Sequence, residues 1–413
     1  MTPPPTAAAT TTGRSLDALR VNPAWAKLPL FDRSKWKRVR FGEVVRQLKE
    51  EVDPQSGEVE RYVAGEHMET ENVHIRKWGM VGDGYLGPAF IRRFRNGQVL
   101  YGSRRTYLKK VAVAEWDGVT ANTTFVLEAI EGKLIQELLP WLMLSERFTK
   151  HSVQESKGST NPYINFPDIA KFEFALPPLD QQRRIADVLQ VTDKFMEASI
   201  AQRNALTVLK RAAFEQRTTV GKSKFPTRML GDVATSQYGL SCPLMESGEY
   251  PILRMMNYDE ELVAASDLKH ADMPGEVAAN YTLEHGDILF NRTNSAELVG
   301  KVGIFKLNGR YLFASYLVRI KTDKSVLLPE FLNFYMNSDS GQKAIRAFAT
   351  PGVSQTNISA GNLMKVRIPV PPLADQAKVV VELSAIAAAK RTAMRHIESQ
   401  RTVLREMANV IFG

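Results

Sequence analysis

The chain has 413 residues, 44% apolar and 24% charged, an ordinary globular composition with room for two or three cored domains. Lysine and arginine outnumber aspartate and glutamate by 54 to 45, and the net charge of +9 favours a polyanionic partner. The single cysteine, Cys242, excludes a disulfide framework and a cysteine-based zinc site, and no apolar run approaches the ~18 residues of a membrane span. These features point to a reducing, cytoplasmic compartment.

Residues 1–29 read as a polar, proline-rich tail and a short amphipathic stretch, without the basic and apolar regions of a secretory signal. The segment Trp36-Lys-Arg-Val-Arg-Phe-Gly-Glu-Val44 then opens a unit that begins again at Phe225-Pro-Thr-Arg-Met-Leu-Gly-Asp-Val233, with Gly42 and Gly231 separated by 189 residues. The same offset pairs Gly97-Gln-Val-Leu-Tyr101 with Gly286-Asp-Ile-Leu-Phe290, each read as a turn entering a buried strand. It also pairs Leu139-Pro140 with Leu328-Pro329. Further strands are expected at Val111–Ala114, Thr124–Leu127, Val302–Phe305 and Tyr316–Ile320, and helical runs at 132–149 and 328–348. Residues 45–96 and 234–285 share little, so one scaffold carries two different contents.

Each unit ends alike. Phe174-Ala-Leu-Pro-Pro-Leu-Asp-Gln-Gln182 matches Ile368-Pro-Val-Pro-Pro-Leu-Ala-Asp-Gln376 at an offset of 194, as Gly158 matches Gly352 and Thr160 matches Ser354, which implies a five-residue insertion before Gly352. Paired prolines stop a strand, and the acidic Leu-x-x-Gln suits a helix N-terminus. The runs that follow contain neither glycine nor proline and place apolar residues at spacings of mostly three and four. Ile185, Leu189, Met196 and Leu206 fall on the first seam, and Leu383, Ile386, Ile397 and Leu404 on the second, which Lys390 and Arg401 interrupt. Each helix would span roughly 50 Å.

Catalytic motifs do not survive inspection. Gly82-Asp-Gly84-Tyr-Leu-Gly87 has the dinucleotide-binding glycine spacing but is followed by Pro88 and has no acid about twenty residues on. Gly221-Lys-Ser223 lacks the earlier glycine of a phosphate loop. Asn161-Pro-Tyr163 is similar to an amino-methyltransferase motif but lacks its second proline, and Pro167-Asp168 with Glu173 lacks the lysine of a metal-dependent nuclease because position 175 is alanine. The positive signal is electrostatic. Residues 84–114 hold Arg92, Arg93, Arg95, Arg104, Arg105, Lys109 and Lys110 without one acid, interleaved with Tyr101, Tyr107 and other aromatic residues. The second unit offers Asn291, Arg292, Asn294 and Lys301 at the matching place, with Arg254, Asn257 and Tyr258 in its variable part. Such cations neutralise phosphates, and Arg and Asn can read base edges bidentately.

Two halves, each leading from Gly-Ser-Thr-Asn…Ile-Asn (158–165) or Gly-Val-Ser-Gln-Thr-Asn-Ile-Ser (352–359) into Pro-Pro-Leu-x-x-Gln and a long helix, resemble the specificity subunits of type I restriction-modification enzymes. The resemblance covers about residues 30–413. It implies an α+β fold: a first target recognition domain over 30–178, a central helix over 179–219, a second domain over 220–372 and a C-terminal helix over 373–413. The two helices would form an antiparallel, coiled-coil-like spacer. It implies a non-catalytic DNA-reading chain whose partners are double-stranded DNA, two methylation subunits and a motor-nuclease subunit, with no membrane. S-adenosylmethionine, ATP and magnesium would belong to those partners, and this chain would hold no metal or cofactor. The candidate DNA contacts are Arg92, Arg93, Arg95, Arg104, Arg105, Tyr107, Asn291, Arg292, Asn294 and Lys301. The residues alone leave open a structural adaptor that binds DNA without regard to sequence, and a methylation-only system.

Overall fold

The computed structural model describes residues 28–219, 225–295, 299–351 and 355–413. Residues 1–27 of the expected tail over 1–29, Gly221-Lys-Ser223, and Gly352 and Ser354 of the second glycine turn lie outside the described residues. The chain divides into two compact units, Met1–Ile200 with Met394–Gly413, and Ala201–Ala393. Both long helices are continuous, Leu179–Thr219 and Leu373–Phe412, and each contributes one part of its length to each unit.

In the first unit the opening strand Lys37–Arg40 pairs antiparallel with the closing strand Glu173–Leu176, so the chain comes back to its start before the two prolines end the sheet. Gly42 is required between them, because a Cβ there would sit 2.9 Å from the Cβ of Ala170. A four-stranded sheet follows in the order Val45–Leu48, Thr124–Ala129, Val99–Gly102, Val111–Val113. Gly97 enters it with φ of 83°, the left-handed turn expected of that glycine. A second sheet orders Gly79–Met80, Arg61–Val63, Gly118–Ala121 and Phe90–Phe94, with the middle two strands parallel.

The second unit repeats this plan. Thr227–Met229 pairs with Arg367–Pro369, and Ala234–Tyr238, Leu317–Thr322, Ile288–Asn291 and Val302–Ile304 repeat the four-stranded order before Leu262–Val263 and Tyr258–Asp259 extend it. Even the variable parts share a parallel pair, here Tyr250–Leu253 with Leu312–Phe313. They diverge beside it: where the first unit adds the strand Phe90–Phe94, the second packs the helix Gly275–Tyr281.

The register corrects the expected alignment. Val111 pairs with Tyr101 and Val302 with Phe290, so the copies are already 191 apart there. Val45 pairs with Ala129 and Ala234 with Thr322, an offset of 193. The extra residues are therefore spread through the second copy rather than gathered before Gly352. Leu328 answers to Ile135, not to Leu139, since each donates its N–H to the motif glutamine of its own unit. The expected helical run over 132–149 begins only at the 3-10 turn Gln136–Leu138, and both it and the run over 328–348 are broken by a serine. Ser145 caps Glu146–Gln154 by accepting from Phe148 N at 3.3 Å, and Ser338 caps Asp339–Arg346 by accepting from Gly341 N at 3.1 Å.

The motif glutamine explains its place in the sequence. Gln182 is buried; its Nε2 donates to Pro177 O at 2.8 Å and Lys133 O at 3.0 Å, and its Oε1 accepts from Ile135 N at 2.9 Å. Gln376 repeats this with Pro371 O at 2.7 Å, Val326 O at 2.8 Å and Leu328 N at 2.8 Å. One side chain thus satisfies three backbone groups and locks the long helix to its domain. Ile185, Leu189, Met196, Ile397 and Leu404 are buried in the first unit's core, and Leu383 and Ile386 in the second's, with half-buried Leu206 against it. The helices therefore pack on their domains as well as on each other. Within the first unit they run antiparallel: Phe195 lies 6.0 Å from His396, and Phe174, just before the central helix, lies 6.0 Å from Phe412.

Candidate nucleic-acid interface

In each unit the strand that follows the Gly97 or Gly286 turn leaves its sheet against the glycine-turn segment preceding the closing strand. Ser103 O accepts from Ile164 N at 2.9 Å, and Arg292 O accepts from Ile358 N at 2.9 Å. One residue further, Arg104 faces Tyr163 and Thr293 faces Asn357. Next, Arg105 N donates to Pro162 O at 2.7 Å, and Asn294 stands opposite Thr356. The two units therefore present the same backbone ledge with different side chains on it.

On the first ledge Arg104 and Arg105 are exposed, and among the described residues neither has an ion-pair partner. The Arg104 guanidinium lies 6.0 Å from the centroid of the Tyr163 ring, itself exposed. Arg105 takes the left-handed conformation, with φ of 49°, an unusual backbone for a non-glycine residue. It leads into the turn Thr106–Leu108, which holds Tyr107 out at 54% exposure. Lys109 is committed elsewhere, paired with Glu146 and, at 2.7 Å, with Glu71; burial works against its charge, but these carboxylates raise its pKa. Lys110 donates to Gly65 O, and burial and then the charge of Arg105 lower its pKa.

The rest of the basic run is placed differently. Arg92 donates to Lys49 O at 2.6 Å and lies 3.4 Å from Glu51. Arg93 pairs with Glu58 at 2.8 Å and Glu50 at 3.6 Å, and Arg95 with Glu50 at 2.7 Å. A stretch that lacks acids in sequence is thus neutralised in space by carboxylates from residues 50–58, and the side chains of Arg92 and Arg93 are only 15% and 18% exposed. The exposed charge of the run that has no carboxylate partner among the described residues narrows to Arg104 and Arg105.

On the second ledge Arg292 lies over Tyr238, 4.9 Å from its ring centroid, and the Tyr238 hydroxyl accepts from Ala360 N at 2.9 Å. Asn294 is half-buried; its Oδ1 accepts from Ser295 N at 2.8 Å and its Nδ2 lies 3.7 Å from Met255 Sδ. Lys301 sits 5.4 Å from the ring centroid of Tyr258. Asn291 departs from expectation: it is wholly buried, so it cannot face a ligand in this conformation, and its carboxamide has no partner among the described residues. Strand alternation puts Ile288 and Phe290 in one core and Leu289 in another, and Asn291 follows Leu289. Asn257 and Tyr258 are also interior. Asn257 braces its loop through Arg254 N at 2.7 Å and Ser266 O; the buried Tyr258 hydroxyl, its pKa raised by burial, donates to Leu289 O at 3.3 Å. Arg254 pairs with Asp267 at 2.9 Å.

Tyr163, Tyr238 and Asn357 join the ledges although they were not expected there; Tyr163 and Asn357 fall at matching places of the repeat, 194 residues apart, whereas nothing in the pattern marked Tyr238. The Gly82–Gly87 loop runs on into the strand Phe90–Phe94 rather than a helix. Lys157, at 3.0 Å, and Lys171 lower the pKa of Asp168, and Arg40 and Arg38 lower that of Glu173, so both carboxylates are held in ion pairs. Among the described residues no helix is long and apolar enough to cross a membrane.

The central helix leaves part of its surface apolar and bare, with Val188, Val191 and Phe195 exposed in the first unit. These positions share one helical face.

The model of the type I restriction modification DNA specificity domain matches this chain twice, over residues 34–207 and 222–400. The putative MjaX specificity subunit of a type I restriction enzyme from Methanocaldococcus jannaschii is 29% identical over 137 residues, covering 33% of this chain and 32% of that protein. The specificity subunit of the type I enzyme EcoKI from Escherichia coli K12 is 27% identical over 278 residues, covering 60% of this chain and 59% of that protein. The match thus spans about a third and three fifths of these relatives' own lengths. The crystal structure of a type I restriction-modification S subunit from M. genitalium aligns over 94% of this chain and 98% of its own, with a TM-score of 0.64 and 12% identity, a likeness of fold.

Proposed function

Because this chain belongs to the family of type I restriction modification DNA specificity domains, with two copies of the domain, we propose that it is the sequence-reading subunit of such a complex. Each unit would read one half of a bipartite duplex target. The observation that carries this reading is that one scaffold is built twice, to the same closing strand pair and the same buried glutamine, around variable parts that differ in kind: a strand at Phe90–Phe94 and a helix at Gly275–Tyr281. Two readers with different contents suit a target with two different halves. Arg105, Tyr107 and Arg292, at the strand exits, are the first contacts we assign to DNA.

The helix pair would fix the unread gap between the half-sites. It would also dock two methylation subunits, for which the bare apolar face at Val188, Val191 and Phe195 is a suitable surface. Adenine methylation with S-adenosylmethionine would then be the partners' chemistry, as would any ATP- and magnesium-driven cleavage by a motor-nuclease subunit, all in the cytoplasm. This chain's own residues bind and orient DNA. Sequencing N6-methyladenine across the genome, with and without this gene, tests the reading. Loss of methylation at one split motif is the expected result, and an unchanged pattern in cells whose complex is expressed would refute it.

A further inference from the structure

The ledge supports a sharper assignment, which rests on the DNA-reading function above. We infer that the cross-strand pair at its tip, Arg104–Tyr163 in the first unit and Thr293–Asn357 in the second, is a specificity determinant that makes the two half-sites differ. The two pairs occupy the same place: in both units they follow directly on the hydrogen bond from Ile164 or Ile358 that fixes the ledge. Their chemistry differs. Arg104 is exposed, unpaired among the described residues, and steadied against Tyr163, which presents a planar donor fork with little freedom left to lose. That fork fits O6 and N7 of guanine in the major groove. Thr293 and Asn357 offer no cation. Asn357 is half-buried, and its carboxamide oxygen is covered and has no hydrogen-bond partner among the described residues, so in this conformation the second pair presents no charged fork. The neighbouring Arg105, which among the described residues has no aromatic ring to hold it, would then serve as a phosphate contact.

The pair is tested in the full chain, expressed with its methylation subunits, by sequencing the modified motif. In Arg104→Ala and Arg104→Lys chains, one guanine position in one half-site should relax, with discrimination falling by roughly tenfold or more, while the other half-site and the gap stay unchanged. The unchanged half-site shows in the same data that the variant is folded. The paired substitution Thr293→Arg with Asn357→Tyr should introduce a guanine preference at the equivalent position of the second half-site. A uniform loss of methylation with the motif intact, or full specificity retained by Arg104→Ala, would make Arg104 a phosphate contact and overturn the inference. A wild-type chain that yields no two-part motif would instead overturn the function on which it rests.

Discussion

At the scale of single residues, two side chains have effects large enough to measure. Gln182 satisfies two carbonyls and one amide in the interior. Gln182→Ala should destabilise the first unit by about 2–4 kcal/mol, since each buried backbone group left unpaired costs on the order of 1–3 kcal/mol and water fills part of the gap. Chemical denaturation of the purified chain checks this, with Gln376→Ala predicted to do the same to the second unit. His74 joins the loop of the first variable part to the central helix. Both ring nitrogens face carboxylates, Nε2 at 2.9 Å from Asp193 and Nδ1 at 3.2 Å from Glu115, with Glu197 at 3.8 Å, so both must carry protons. The hydrogen bond to Asp193 outweighs burial and raises the pKa from 6.5 to about 9. A raised folded-state pKa gives stability that is complete below 6.5 and lost as pH climbs through 9. The first unit's melting temperature should therefore fall between those values, and His74→Gln should flatten that part of the profile.

At the scale of elements, the long helices test whether the buried seam holds the fold. Leu189 is fully buried and Val191, two positions on, is 67% exposed. Leu189→Ala should cost about 2–4 kcal/mol, and Val191→Ala should stay within about 0.5 kcal/mol of the parent, as denaturation midpoints would record. Elements of this kind were legible in the sequence because their causes are local: proline pairs stop strands, Gly97 and Gly286 permit positive φ, and apolar spacing marks helix faces. What failed was long-range. The partners of Arg92, Arg93 and Arg95 lie some 35 to 45 residues upstream, so a local charge tally made a neutralised cluster look free. Leu328-Pro329 matched Leu139-Pro140 because proline suits the first turn of any helix; only the glutamine's hydrogen bonds reveal that Leu328 stands for Ile135. Asn291 continues a strand whose two faces are both buried, which no alternation of polar and apolar residues announced.

At the scale of the whole molecule, function follows from duplication. On the proposed reading, a single domain would read one short block of DNA and two copies in one chain would give two blocks with independent contents; the copies diverge where a strand in one is a helix in the other. The bare helical face predicts a separable defect: Val188→Asp with Val191→Asp should weaken co-purification of a methylation subunit while leaving the melting temperature near that of the parent, because both side chains are exposed. A large fall in thermal stability would assign those residues to the fold instead. The central claim, that one chain reads two half-sites, is tested most directly by selecting duplexes from a randomised library with the assembled complex. Two conserved blocks separated by a gap of constant length and free sequence is the predicted result. A single block, or salt-sensitive binding with no enrichment of any sequence, would contradict it.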